Sequence, residues 1–369
     1  MFHRPSRRTS GNHTGSRYVL ESRTLTLINI ERALRLRIGE FVAVMTDIQR
    51  ISSPADVDAF VVYATTYPHL AVRVKELIVN LDQPFSLHAF RHCLSLTPSI
   101  TDLYLHISTD VPADVLGGID FKDLEFLKTN LPHQYLLPFL AIHVGPVELS
   151  LGPCGRAMEE SCPLRLLDTR SYASIECPSE CLLGVTHSSL VRLALQESHP
   201  GQSYAPPAFR SLPTPLLSLS CLTLDFLPDD YDILENVVRI APRIQKLKLL
   251  EKPRVQRRQT QLRRVWIDGT AWARTLARLS SLEDFALKTA GPIGSSVASE
   301  KTILTSWVTS MSRTTRSANA AYQHPTLISL RVWYRCWDAH HEILTLWSRA
   351  IGTWRNIYRL VDPPTAALF

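Results

Sequence analysis

The chain has 369 residues, 45% of them hydrophobic and 20% charged, with 14 Gly, 24 Pro and 7 Cys. That composition supplies a large apolar core and excludes collagen-like, disulfide-dense and wholly disordered chains. The net charge of +6 is local: Lys252, Arg254, Arg257, Arg258, Arg263 and Arg264 stand together with no acid among them, and without these six the rest balances at 34 against 34. The charge therefore describes one basic segment and not a generally basic surface.

Residues 1–20 are polar and carry Arg4, Arg7, Arg8 and Arg17 without an apolar stretch, so they read as a disordered basic tail. Residues 21–70 read as a capping strand and helix: Leu34, Leu36 and Ile38 alternate, and Ser53-Pro54 opens a helix with Val57, Phe60, Val61 and Ala64 on one face. From residue 71 to 360 one pattern recurs, apolar–x–x–apolar–x–apolar. It stands at Val74-Leu77-Val79, Ile100-Leu103-Leu105, Phe121-Leu124-Phe126, Val144-Val147-Leu149 and, in weaker form, at Leu164-Leu167. It returns at Leu190-Leu193-Leu195, Leu219-Leu222-Leu224, Ile244-Leu247-Leu249, Leu282-Phe285-Leu287 and Leu327-Leu330-Val332. Starts lie 20 to 29 residues apart up to Ile244, with the weak copy counted, and 38 and 45 apart beyond it. The pair at spacing two marks a short strand with one buried face.

The intervening segments read as helices. One opens at Asp229 or Asp230 with Ile233, Leu234, Val237, Val238 and Ile240; one runs from Asp268 or Thr270 through Trp272 and Leu276; one lies near Ile303. A last helix is expected over Asp338 to Ile351, with Ile343, Leu344, Trp347 and Ile351 inward. Pro98, Ser188, Pro242, Ser280 and Pro325 each stand two residues before a strand pattern and stop the preceding element. Helix–turn–strand units that cannot bury their own apolar faces must stack on one another. The expected fold is α/β: one curved, irregular, leucine-rich-repeat-like solenoid of alternating short strands and helices. The basic loop at 251–265 lies between two of its units, and 361–369 form a C-terminal tail.

With these strand motifs and stop turns such as Cys162-Pro163-Leu164 and Ala241-Pro242-Arg243-Ile244, the chain resembles the irregular leucine-rich-repeat proteins of fungal (basidiomycete) F-box type. The F-box itself, a short helical module, is not recognisable between Met1 and Ser22. Regular repeats of this kind place Asn or Cys three residues after the last strand Leu; here those places hold Asp82, Ser108, Thr129, Gly152, Ser198, Leu227, Lys252, Ala290 and Arg335. The resemblance implies a non-enzymatic substrate-recognition subunit of a cullin-type ubiquitin ligase, whose partners are a protein substrate, the ligase adaptor and the cullin.

If the strands line a concave face, the residues between their buried positions meet that partner: Asp102, Tyr104, Glu148, Arg192, Thr223, Lys246, Lys248, Lys288, Arg331 and Trp333, the last of which reads equally well as part of a C-terminal core. The alternative is a stand-alone scaffold or nucleic-acid-associated repeat protein, in which the six basic residues of 252–264 bind phosphates and Trp266 stacks on a base. No cofactor or metal is expected. Cys154, Cys162, Cys177 and Cys181, with His143 and His187, have the chemistry to bind zinc, but paired Cys-x2-Cys knuckles are missing and a small buried hydrophobe is the simpler reading. His88 and His92 share a helix face with Ala89 where a metalloprotease needs Glu. His340-His341-Glu342 and the pairs Asp229-Asp230 and Glu159-Glu160 read as solvated or helix-start residues. The most apolar stretch, Tyr135 to Leu151, is broken by Pro138, His143, Pro146 and Glu148, so no membrane span is expected. Cysteines without a framework fit a reducing compartment, cytoplasmic or nuclear.

Overall fold

The computed structural model describes residues 47–108, 110–143, 148–156, 160–196, 205–252, 265–294, 296–311, 321–335, 341–350 and 353–362. The fold is mixed α/β on one open sheet of thirteen strands. The first ten are β1 (Ile48–Ile51), β2 (Glu76–Leu81), β3 (Asp102–Ile107), β4 (Phe126–Thr129), β5 (Glu148–Leu151), β6 (Ser174–Pro178), β7 (Arg192–Gln196), β8 (Cys221–Phe226), β9 (Lys246–Glu251) and β10 (Asp284–Thr289). β11 (Thr309–Met311) and β12 (Ala321–Gln323) form a separate ribbon, and β13 (Ser329–Arg335), β14 (Glu342–Ala350) and β15 (Thr353–Val361) complete the main sheet. From β1 to β10 each strand pairs in parallel with the next in sequence. β13 extends that ladder, and β14 and β15 then add antiparallel.

Parallel neighbours require a crossover between them. Most crossovers here carry a helix: Leu87–Ser95, His133–Ile142, Leu182–Val185, Ala205–Arg210, Ile233–Ile240, Gly269–Leu276 or Val297–Val308. The helix Pro54–Thr66 starts where the sequence places it, with the Ser53 hydroxyl accepting the Asp56 N–H at 3.2 Å and Pro54 opening the first turn. Asp268 caps Gly269–Leu276 in the same way, through the Ala271 N–H. Asp229 and Asp230 lie in the turn before the helix Ile233–Ile240, and Asp230 accepts the Leu227 N–H at 2.7 Å.

The register explains the recurring motif. Leu77, Leu103, Leu127, Leu149, Ile175, Leu193, Leu222, Leu247, Phe285 and Leu330 stand in one row across the sheet, all buried against the helices in a continuous core. Each such side chain stabilises the fold by roughly 1.5–3 kcal/mol through burial, and each rests on its counterparts in the adjoining strands.

That row also corrects several sequence expectations. Leu164 and Leu167 bound a 3-10 turn, Pro163–Leu166, and not a strand. The strand of that unit is β6, with Tyr172, Ile175 and Cys177 as its buried motif. In β4 the motif is Leu124-Leu127-Thr129, three residues later than Phe121 suggests, because Phe126 points to the other side of the sheet. Leu149 aligns with Leu127 as the middle residue of its motif, not the last. The helix expected over Asp338 to Ile351 is instead β14. Leu344 is buried on one side of that strand while Ile343, Thr345 and Trp347 are buried on the other, and two-sided burial imitates a helical stripe. The strand expected at Leu34, Leu36 and Ile38, the tail 1–20 and most of 361–369 lie outside the described residues.

Side-chain bonds link the segments that follow adjacent strands. Ser108 donates to the Asp82 carboxylate at 2.9 Å, two residues at equivalent places in adjacent units. The Asn130 carboxamide bonds both the N–H and the C=O of Ile107, at 2.9 and 3.0 Å.

Candidate functional site

Side chains alternate along a strand, so residues between the core rows point to the opposite side of the sheet. Asp102, Glu148, Arg192 and Lys246 lie in one register row of that side. Tyr104, Thr223, Lys248 and Arg331 lie in the next, and Lys288 pairs in register with Trp333 further along. The ten residues selected from the sequence thus share one face.

Across the middle of this face runs an open groove of about 1120 Å³, from Phe126 to Arg331. Glu148, Arg192, Thr223, Lys246, Lys248 and Arg331 line it; Asp102, Tyr104, Lys288 and Trp333 do not. Glu176, Asp225 and Asp284, which were not selected from the sequence, complete its charge pattern together with Lys252. Glu176 was hidden because Tyr172 and Cys177 disguise its strand; Asp225 and Asp284 can be read only once the register is known. The groove is electrostatically mixed. Arg192 faces Glu148 at 3.7 Å, Arg331 pairs with Asp284, and Ser150 donates to Glu176 at 2.7 Å. Burial, reinforced by Arg331 and Lys288, pulls the Lys248 ammonium down to about 8. Tyr104, beside Glu76, Asp102 and Glu148, is raised, first by burial and then by those carboxylates.

Trp333 is corrected as a contact residue. It is 3% exposed, its indole N–H donates to Glu342 at 2.7 Å, and the Lys288 ammonium sits 4.4 Å from its ring centroid. The antiparallel β14 brings Glu342 over it, so this anchor serves the fold.

No protein-family model matches this chain, and no curated protein is similar to it.

Of the basic segment, Lys252 borders the groove, whereas Arg254, Arg257, Arg258, Arg263 and Arg264 fall outside the described residues. Trp266 is core: it is buried, and its carbonyl accepts the Trp307 indole N–H at 2.9 Å. It offers no stacking surface to a base. No helix among the described residues is long and apolar enough to cross a membrane.

The cysteines do converge, but with a different histidine. His133, Cys154, Cys162 and Cys181 are all buried, and their ligating atoms lie within 4.8 Å of one another. His133 Nδ1 stands 3.3 Å from Cys162 Sγ and 3.6 Å from Cys181 Sγ. Its Nε2 stands 3.1 Å from the Gly152 carbonyl, and its backbone N–H donates to the Cys154 carbonyl at 3.1 Å. Gly155 allows that approach: it adopts φ +74° with Pro132 packed where a side chain would begin. The Cys181 hydrogen bond, aided by His133, holds the Cys162 thiol well below the usual thiol range, while Cys181 is raised by the same contact. Cys177 belongs to the core, and burial pushes its thiol up. His143 stacks on Phe139, accepts the Phe121 N–H and faces the Phe139 carbonyl; His187 bonds Ser189. His88 and His92 lie side by side as an exposed pair on Leu87–Ser95, their ring centroids 6.4 Å apart, and His341 meets Asp362 at the start of β14.

Proposed function

We propose that this chain is a non-enzymatic, leucine-rich-repeat-like solenoid that holds another protein on the open face of its sheet. The observation that carries the reading is the strand order. Ten strands follow one another in parallel with their apolar rows to the helices, which leaves the opposite side open, with charged residues of both signs along it. A groove with alternating acids and bases suits a protein segment of mixed charge; a nucleic-acid groove would be uniformly basic. With the resemblance noted from the sequence, the role we infer is substrate recognition in an F-box-type ubiquitin ligase, with an adaptor and a cullin as further partners.

The test is an affinity capture with quantitative mass spectrometry on three proteins: the native chain, the groove variant Arg192→Glu/Lys246→Glu, and a variant with the six basic residues of 252–264 neutralised. The reading expects adaptor and cullin with all three, and a distinct protein substrate lost only from the groove variant. Nuclease-sensitive partners lost with the six charges, without an adaptor, would replace it with a nucleic-acid scaffold.

A further inference from the structure

We propose that His133, Cys154, Cys162 and Cys181 bind one structural zinc ion that ties three successive units of the sheet together. Tetrahedral zinc takes thiolates at about 2.3 Å and imidazole at about 2.0 Å, which sets its ligands about 3.5–3.8 Å apart. The distances of 3.3 and 3.6 Å from His133 Nδ1 to two of the sulfurs match that spacing. The third sulfur, of Cys154, falls inside the same 4.8 Å cluster.

The imidazole is oriented for the task. With Nε2–H donating to the Gly152 carbonyl at 3.1 Å, the lone pair of Nδ1 faces the three sulfurs. A backbone acceptor on the distal nitrogen is the usual support of a metal-bound histidine. Three cysteines and one histidine form a complete, soft, four-ligand set, which favours zinc and leaves no open position for catalysis. Three thiolates around a divalent ion leave one negative charge. Arg156, the cation that acts on Cys154, stands at the rim and donates to the Glu180 carbonyl at 3.2 Å.

The position gives the ion a purpose. His133 begins the helix after β4, Cys154 and Cys162 lie in the β5–β6 crossover, and Cys181 follows β6. Among its described residues that middle crossover forms only the 3-10 turns Pro163–Leu166 and Thr169–Ser171, without an α-helix to hold it in place. On binding, three thiols release their protons to solvent, and three Zn–S bonds and one Zn–N bond replace bound water.

Elemental analysis of the full chain, produced in zinc-containing medium without a histidine tag and kept reduced, should find one zinc per chain. Cys162→Ser and Cys181→Ser should bring it to background, while Cys177→Ser and Cys93→Ser should keep it. Should the first two fail to fold, the native protein decides. A mercurial should consume three thiols per zinc released into a chromogenic indicator, and cobalt loaded after stripping should give thiolate charge-transfer and intense tetrahedral visible bands. Folded protein without zinc, zinc that survives Cys162→Ser, or weak octahedral-type cobalt bands would each overturn the site.

Discussion

The indole N–H of Trp347 donates to Glu300 at 2.9 Å inside the core, joining the helix Val297–Val308 to β14. The same carboxylate, fully buried, accepts the hydroxyls of Tyr334 and Thr345 at 2.7 Å each and faces Arg359 at 3.9 Å. Glu300→Ala should cost about 3–5 kcal/mol, because it leaves three buried donors without their acceptor and takes the carboxylate from the partly exposed Arg359. Glu300→Gln should cost less, since Gln keeps one acceptor oxygen. Urea unfolding with an unchanged m-value would measure both; a loss under about 1 kcal/mol for the Ala variant would contradict this account.

His324 supplies a pH signature. Its Nδ1 accepts the Leu327 N–H at 3.1 Å and its Nε2 faces the Leu276 carbonyl at 3.0 Å, which requires the neutral ring. Burial first, and then Arg349, lower its pKa from 6.5. The unfolded chain therefore binds this proton first as pH falls. Stability contributed by the neutral ring is complete above about 6.5 and declines as pH drops through the lowered folded value. In His324→Gln this part of the acid slope should vanish, although the variant begins less stable.

Lys248 gives a slope of the same sign in a higher pH window. Its charge is held in the groove against burial, with the amine lowered to about 8. The penalty is complete below about pH 8 and is relieved as pH rises towards 10.5, where the unfolded amine also loses its proton. Lys248→Met should raise stability at pH 7 by about 1–2 kcal/mol, with the gain shrinking between pH 8 and 10. A gain that does not depend on pH would mean improved packing.

Gly155 and Gly118 form a matched pair, with φ +74° and +75°. A side chain on Gly118 meets open space, whereas one on Gly155 would lie 2.8 Å from Pro132 Cβ. Gly118→Ala should cost about 1 kcal/mol for its backbone alone. Gly155→Ala should cost about 1–2 kcal/mol more, because it pushes Cys154 away from His133. Parallel thermal melts of the two variants would separate the backbone term from the contact.

The strand positions were legible wherever Leu or Ile filled all three motif places, as at β3, β7, β8 and β9. They blurred where Tyr172 and Cys177 took those places, and where Phe126 put an apolar ring on the polar side. β14 was misread because burial on both sides erased the alternation that marks a strand. The metal-type cluster was half legible. Three of its cysteines were selected, but His133 lies 21 residues before Cys154, too far for any spacing rule. The signal that finds it is register: His133, Cys154 and Cys181 each follow the end of a strand by three or four residues, in three adjoining units.

The antiparallel pair β14 and β15 also bears on how copies of this chain meet. A ladder of parallel strands can in principle be prolonged by another molecule docking head to tail, the geometry of open filaments. Here only β14 runs backwards; the outermost strand, β15, points along the ladder again and carries the exposed Arg355, a charge that an incoming strand must accommodate. That edge charge works against indefinite extension of the pattern.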